Sequence, residues 1–228
     1  MTYLQLVNRV LRRLRERSVA SINTDYALLI GEFVNEAKED VERAHKWKAR
    51  RIDTTFPTVV GQQDYNLGAG GVASTATNER SQLVYAPMGG GPMVYNLTSP
   101  YAGNQLQEVP REQHKAWIAD GDASNTQPYH FSLFKDNDGW RMSIYPKPDG
   151  VYTIQATFYI PQDELDDESD ELAIPADPVW RLALAYATAE RGEGVGAVAD
   201  RYEARAQRAL IEAISRESED AELTFYEE

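Results

Sequence analysis

The chain has 228 residues, a formal net charge of -13 and no cysteine. The missing cysteine excludes disulfides, thiolate metal sites and a Cys nucleophile, and 42% hydrophobic with 26% charged residues excludes wholesale disorder or a fibrous fold. No apolar run approaches the roughly 20 residues that span a bilayer, and arginines stand where a signal peptide needs an apolar core, so the protein is expected to stay where it is made, with no membrane partner.

Charge is unevenly placed. Residues 1–52 hold eleven Lys/Arg against seven Asp/Glu, which leaves the other 176 residues at -17. A net-negative body repels phosphate, which argues against a DNA-gripping protein.

Thr2 and Gln5 form a T-x-x-Q capping box that opens a helix expected to run to about Arg17. At 100° per residue Leu4, Leu6, Val7, Val10, Leu11 and Leu14 share an arc of roughly 160°. Asn8, Arg9, Arg12, Arg13 and Arg15 fan over the other side. A second helix is expected from an N-cap at Asn23 or Thr24 to Trp47, about 37 Å long, with Tyr26, Ile30, Phe33, Ala37, Val41 and Ala44 at helical spacing. The two should form an antiparallel pair.

Residues 52–160 read as short β segments broken by Gly, Pro, Asn and Asp. The clearest, VYTIQATFYIP, alternates Tyr152, Ile154, Ala156, Phe158 and Ile160 against Val151, Thr153, Gln155 and Thr157, the pattern of a half-buried antiparallel strand. FSLFKDNDGWRMSIYP reads as a hairpin around Asp138-Gly139, and REQHKAWIAD as a short helix. The loops GAGGVASTATN and APMGGGPM are expected to be exposed and mobile.

Helix returns with Asp177 as N-cap and Pro178 at the first helical position, and Gly192, Gly194 and Gly196 break it. A final helix carries Tyr202, Ala206, Ala209, Leu210, Ala213 and Ile214 on one face. ESEDAELTFYEE has six acids, no base and an apolar cluster of Leu223, Phe225 and Tyr226, expected as an extended tail with an apolar hook. The order of elements implies an α+β protein: a helical bundle of N- and C-terminal helices (1–51 and 173–216), an inserted antiparallel β-rich domain (52–172) and an acidic tail (217–228).

No constellation of catalytic or cofactor-binding residues emerges. GEGVGA follows a helix rather than the strand that a dinucleotide turn requires. Asp136 to Gly139 could begin a calcium loop, but no Glu closes it at the required spacing. DELDDESDE could bind a hard cation, although such runs are usually solvated linkers. His45, His114 and His130 have no ligand spacing, no serine occupies a G-x-S-x-G elbow, and Asn96-Leu97-Thr98 is a formal sequon without a secretory signal. No enzyme, metal or cofactor is expected.

The opening MTYLQLVNRVLRRL, a long helix ending in Trp, G-Q-x-x-Y-x-L at 61–67, Q-P-Y-H-F at 127–131, I-Y-P-x-P at 144–148 and AIPADPVWRLALAYATAERG follow one another in an order that resembles the head-to-tail adaptor (connector) proteins of tailed, especially short-tailed, bacteriophages. The glycine-rich residues 68–92 lie outside the matching stretches. The resemblance implies a structural virion protein of the neck, made in the host bacterial cytoplasm. It further implies a homo-oligomeric ring, commonly dodecameric, between the portal protein and the tail nozzle and fibres. Genomic DNA would pass non-specifically through its channel, where a negative wall would not hold phosphates. In such a ring Arg9, Arg12, Arg13 and Arg15 would face a neighbouring subunit or the portal, and Leu223, Phe225 and Tyr226 would reach into the portal. Two other classes stay open: a nucleic-acid-binding module acting through the same arginines, and a glycan-binding tail component using Trp140 and Tyr145.

Overall fold

The computed structural model describes residues 1–86, 90–120, 125–136, 139–193 and 197–223, with the backbone alone at 193, 197–199 and 219–223. The fold is α+β, with five α-helices among the described residues and largely antiparallel sheets. The chain divides into two compact units, one of Met1–Ala49 with Gln162–Glu228 and one of Arg50–Pro161.

In the first unit α1 spans Tyr3–Arg13 and α2 spans Asp25–Ala44. Thr2 caps α1 as expected: Gln5 N–H donates to Thr2 Oγ1 at 3.3 Å and Thr2 N–H donates to Gln5 Oε1 at 3.1 Å. The apolar stripe is buried at Leu6, Val7, Val10, Leu11 and Leu14, and Tyr3 extends it. Tyr3 fits because Gly31 lacks a side chain, since a Cβ there would lie 2.2 Å from the tyrosine hydroxyl. α1 ends four residues before the expected Arg17. Glu16 N–H donates to Leu11 O at 2.9 Å and Arg15 N–H to Arg12 O at 3.2 Å, which closes the helix in a Schellman motif. α2 ends before Trp47, where the chain turns extended at His45 and the buried indole folds back to donate from Nε1 to Val41 O at 2.8 Å.

Helix α4 spans Ala176–Thr188, with α3 (Arg111–Ala119) lying in the other unit. Pro175, not Asp177, is its N-cap, and Asp177 sits in the first turn. A wider turn over Ala189–Glu193, with Gly192 at φ 72°, precedes α5 at Ala197–Leu223. Only glycine adopts that φ without strain, which accounts for the break read from the sequence. α5 is helical to Leu223, so the expected extended tail is helix over 217–223; Phe225 and Tyr226 lie outside the described residues.

Residues 162–172, expected with the β-rich part, belong to the helical unit. Leu165 is buried in its core, and Asn35 exchanges two hydrogen bonds with the Leu165 backbone at 2.9 and 3.2 Å. The buried Lys38 ammonium donates to the carbonyls of Gln162, at 2.9 Å, and Asp163. Tyr3 N–H donates to Asp170 O at 2.8 Å and Leu172 N–H to Met1 O at 2.9 Å. What reads as a solvated acidic linker is thus a strap fastened to α1 and α2.

The second unit holds two sheets. In one, β1 (Arg51–Pro57) pairs antiparallel along its whole length with β9 (Thr153–Tyr159), whose other edge takes β3 (Gln82–Leu83) and β4 (Val94–Asn96); β5 (Asn104–Gln105) flanks β4. In the other, β2 (Asp64–Asn66), β8 (Gly139–Tyr145), β7 (His130–Asp136) and β6 (Gln107–Glu108) follow in that order, with β6 and β7 parallel. Phe56, Tyr65, Leu67, Phe131, Met142, Ile144, Ile154 and Phe158 form one apolar cluster drawn from both sheets. The β7–β8 hairpin is present with Asp136 opposite Gly139, while Asn137 and Asp138 lie outside the described residues. In β9 the polar Thr157 is buried as well, because its hydroxyl donates to Asp53 Oδ1 at 2.6 Å.

Tyr65 explains the G-Q-x-x-Y-x-L stretch. Its hydroxyl accepts from Val59 N–H at 3.0 Å and donates to Gln62 O at 2.9 Å, pinning a turn in which Gly61 has φ 77°. The loop 68–78 is not a free excursion. Ser74 N–H donates to Thr55 O at 2.8 Å, Thr54 Oγ1 to Thr75 O at 2.8 Å, and Thr77 is buried with its N–H on Leu67 O at 2.8 Å. Serine and threonine hydroxyls thus fasten it along β1. Of APMGGGPM, residues 87–89 lie outside the described residues.

Candidate functional site

The basic fan of α1 divides into two sets. Arg9 and Arg13 lie against the buried Trp180 indole of α4, with guanidinium carbons 4.5 and 5.5 Å from the ring centroid, and Arg181 covers the same ring at 4.7 Å. Three cations around one indole are held by the negative face of its π-system, and a carboxylate offsets their charge. Asp177 Oδ1 accepts from Trp180 Nε1–H at 2.9 Å and Asp177 Oδ2 accepts from Arg181 Nε–H at 2.8 Å. Burial pushes the Asp177 carboxyl upward, but those two hydrogen bonds and the charges of Arg181 and Arg9 hold it below its ordinary value. Arg9 and Arg13 therefore help to join α1 to α4.

Arg12, Arg15 and Arg17 are exposed, as is Arg13, but unlike Arg13 they have no contact with the Trp180 ring among the described residues. Arg12 Nε–H donates to Asn8 O at 3.2 Å, which leaves its outer nitrogens to solvent. Arg15 has φ 62°, the only non-glycine residue with positive φ among those described. A non-glycine side chain in that left-handed conformation costs about 1–2 kcal/mol. Beside it Arg191 bonds Glu16 Oε1 at 2.6 Å and lies 4.9 Å from the Tyr26 ring centroid.

At the far end of the unit, Glu217 of α5 places a carboxylate oxygen 3.2 Å from His45 Nε2 and accepts from the Lys48 backbone N–H. The tail's acidic character thus begins with a structural contact. The Leu223 backbone is helical; the apolar hook otherwise lies outside the described residues.

The remaining candidates have packing roles. His114, in α3 (Arg111–Ala119), is buried edge-on to Tyr145 at 6.0 Å, and His130 lies 5.0 Å from the Trp117 ring. Burial pushes both imidazoles toward the neutral form. Of the two aromatic residues named for the glycan-binding alternative, Tyr145 lies tilted against Trp117 with centroids 5.2 Å apart, and Trp140 donates from Nε1 to Ser81 O at 2.7 Å with Lys135 Nζ over its ring. Asp136 pairs with Arg141. Among the described residues there is no cluster of three or more potential metal ligands, and no helix long and apolar enough to cross a membrane.

Trp180, Arg181 and Arg191 were not among the residues singled out in the sequence, and Asp177 was read there as a helix N-cap alone. The D-x-x-x-R spacing of Asp177 and Arg181 is the one local signal that could have marked them.

No curated protein matches the chain. The model of the SU10 adaptor protein family, by contrast, matches residues 1–224, nearly the whole length, including both the basic opening helix and the β-rich unit. On that match the chain belongs to the SU10 adaptor protein family, structural adaptors of the bacteriophage virion.

Proposed function

We propose that the protein is a head-to-tail adaptor of a short-tailed phage, forming a ring, of twelve copies, that joins the portal to the tail nozzle and fibres and lets DNA pass through its channel. The observation that carries this reading is the family match over residues 1–224. In it the helical unit builds the ring around the channel, and the β-rich unit is an insertion between its two halves, facing outward or toward the nozzle and fibres. Arg12 and Arg15 contact a neighbouring subunit or the portal. Arg9 and Arg13 support that edge through Trp180, and Leu223, Phe225 and Tyr226 dock into the portal. The surplus negative charge of residues 53–228 suits a conduit that must not retain phosphate.

The test is to mix the purified protein with its portal and image the product by electron microscopy. A ring seated on the portal is expected. A lasting monomer with no portal affinity would overturn the reading.

A further inference from the structure

The helical unit carries two concave surfaces of opposite charge. One is a groove of about 710 Å³ lined by Tyr3, Leu28, Glu32, Glu164, Asp166 and Asp167, among others. Among the described residues none of those four carboxylates is in an ion pair. Glu168, at the same groove, is already engaged by Ser21 Oγ–H and by Ile22 N–H at 2.7 Å. Leu28 is 49% exposed, an apolar floor beside the acids. Burial raises the Tyr3 hydroxyl above its ordinary pKa, and Asp166, Glu32 and Glu164 raise it further, a sign of the negative field there.

The second surface is a recess of about 400 Å³ lined by Leu11, Arg15, Glu16, Arg17 and Tyr26. Its one carboxylate, Glu16, is neutralised by Arg191. Arg12, Arg15 and Arg17 have no carboxylate partner among the described residues.

Tyr3 lines the groove, while Leu11 and Arg15 line the recess, so the two surfaces lie toward opposite ends of α1, an 11-residue helix about 16 Å long. Opposite charges on separate patches of one unit let the basic patch of one copy meet the acidic patch of another. In a ring that contact is heterologous: the basic end of one copy meets the acidic end of the next, and the contact repeats head to tail. We propose that neighbouring copies of this chain join by seating the Arg12, Arg15 and Arg17 edge of one in the acidic groove of the other formed by Glu32, Glu164, Asp166 and Asp167. The inference rests on the reading that copies assemble, and names the surfaces by which they do so. Guanidinium groups suit the groove because they bind carboxylates bidentately and shed water more readily than ammonium.

The experiment uses the full chain in two charge-reversed forms, one with Arg12→Glu and Arg17→Glu, the other with Glu32→Lys and Asp166→Lys. All four positions are on the surface, and circular dichroism melts check that each form folds. Sedimentation of the wild type is expected to show self-association that is roughly tenfold weaker at about 0.5 M than at about 0.05 M NaCl. Each reversed form alone should stay monomeric, and a mixture of the two should associate. If both forms assemble as the wild type does, with or without added portal, this interface is wrong while the ring survives. A wild type that stays monomeric even on the portal overturns both. Assembly that appears only on the portal, with both reversed forms equally competent, would likewise overturn the proposal.

Discussion

The Arg9 guanidinium lies over the Trp180 ring, 4.5 Å from its centroid, while the indole Nε1–H bonds Asp177 Oδ1 at 2.9 Å. One side chain thus links α1 to the first turn of α4 through both its face and its edge. Trp180→Leu is expected to destabilise the helical unit by about 3 kcal/mol, from lost packing and the loss of the cation-π contacts. Trp180→Phe retains a ring face and should lose about half as much. Urea unfolding followed by far-UV circular dichroism measures both, and an unchanged midpoint for Trp180→Leu would contradict the assigned role.

Asp177 titrates in a defined direction. Its folded pKa is depressed, so the stability it contributes is fully present above the unfolded carboxyl value, near about 3.9, and is lost as pH falls through the folded value. Asp177→Asn should therefore be less stable than wild type at neutral pH, and the gap should shrink below about pH 4. Chemical denaturation across that range reads the difference, and a gap independent of pH would refute it.

Arg15 occupies the position at which a Schellman motif favours glycine. Arg15→Gly is expected to raise stability by about 0.5–1 kcal/mol, because relief of the left-handed side chain outweighs the added chain entropy. If Arg15 also faces a neighbouring copy, the same variant should melt higher yet associate more weakly. Calorimetry and sedimentation on one preparation separate the two effects.

Lys38 is 1% exposed and its ammonium reaches the carbonyls of Gln162 and Asp163. Lys38→Met keeps much of the volume but leaves those oxygens without that donor, and should cost about 2–3 kcal/mol. The strap 162–172 should become the earliest segment to exchange amide hydrogens in deuterium oxide. Unaltered protection there would show that Lys38 does not hold it.

The C-terminal end offers a graded test. Removing residues 219–228 leaves the contacts of Glu217 with His45 and Lys48 in place, so the melting temperature should stay within about 2 °C of wild type while portal attachment weakens. Removing 217–228 takes those contacts away as well and should lower the melting point. Equal portal attachment by both truncations and the full chain would exclude a docking role for the tail.

Elements governed by neighbours in sequence were legible. The Thr2 capping box, the stripe from Leu6 to Leu14, the alternation through β9 and the break at Gly192 all stand where local patterning places them. Features made by distant partners were not. Arg9 and Arg13 meet at a tryptophan more than 160 residues away, and no periodicity within α1 reports it. The acidic run looked solvated because charge dominates its composition, yet its fastening comes from backbone groups, Leu165 and a buried lysine on another helix. The glycine-rich loop looked loose for the converse reason, since the hydroxyls that bind it to β1 are common in loops of any kind. Of the four candidate arginines, the wheel separated polar from apolar faces but could not tell which cations the fold would engage.

Arg51 and Tyr159 are register partners, and just inside the ends of the β-rich unit Arg50 and Ile160 exchange hydrogen bonds: Arg50 Nε–H to Ile160 O at 2.7 Å and Ile160 N–H to Arg50 O at 2.9 Å. The stretch therefore leaves from and returns to points about 5 Å apart, the spacing of facing residues in an antiparallel pair. To the helical unit, a folded insertion of this kind is a tight turn rather than a long loop. The closure entropy that grows with the logarithm of loop length is paid when β1 meets β9, within the insertion itself. The β-rich unit can accordingly lengthen, shorten or be exchanged between relatives without altering the entropic cost of bringing α2 and α4 together.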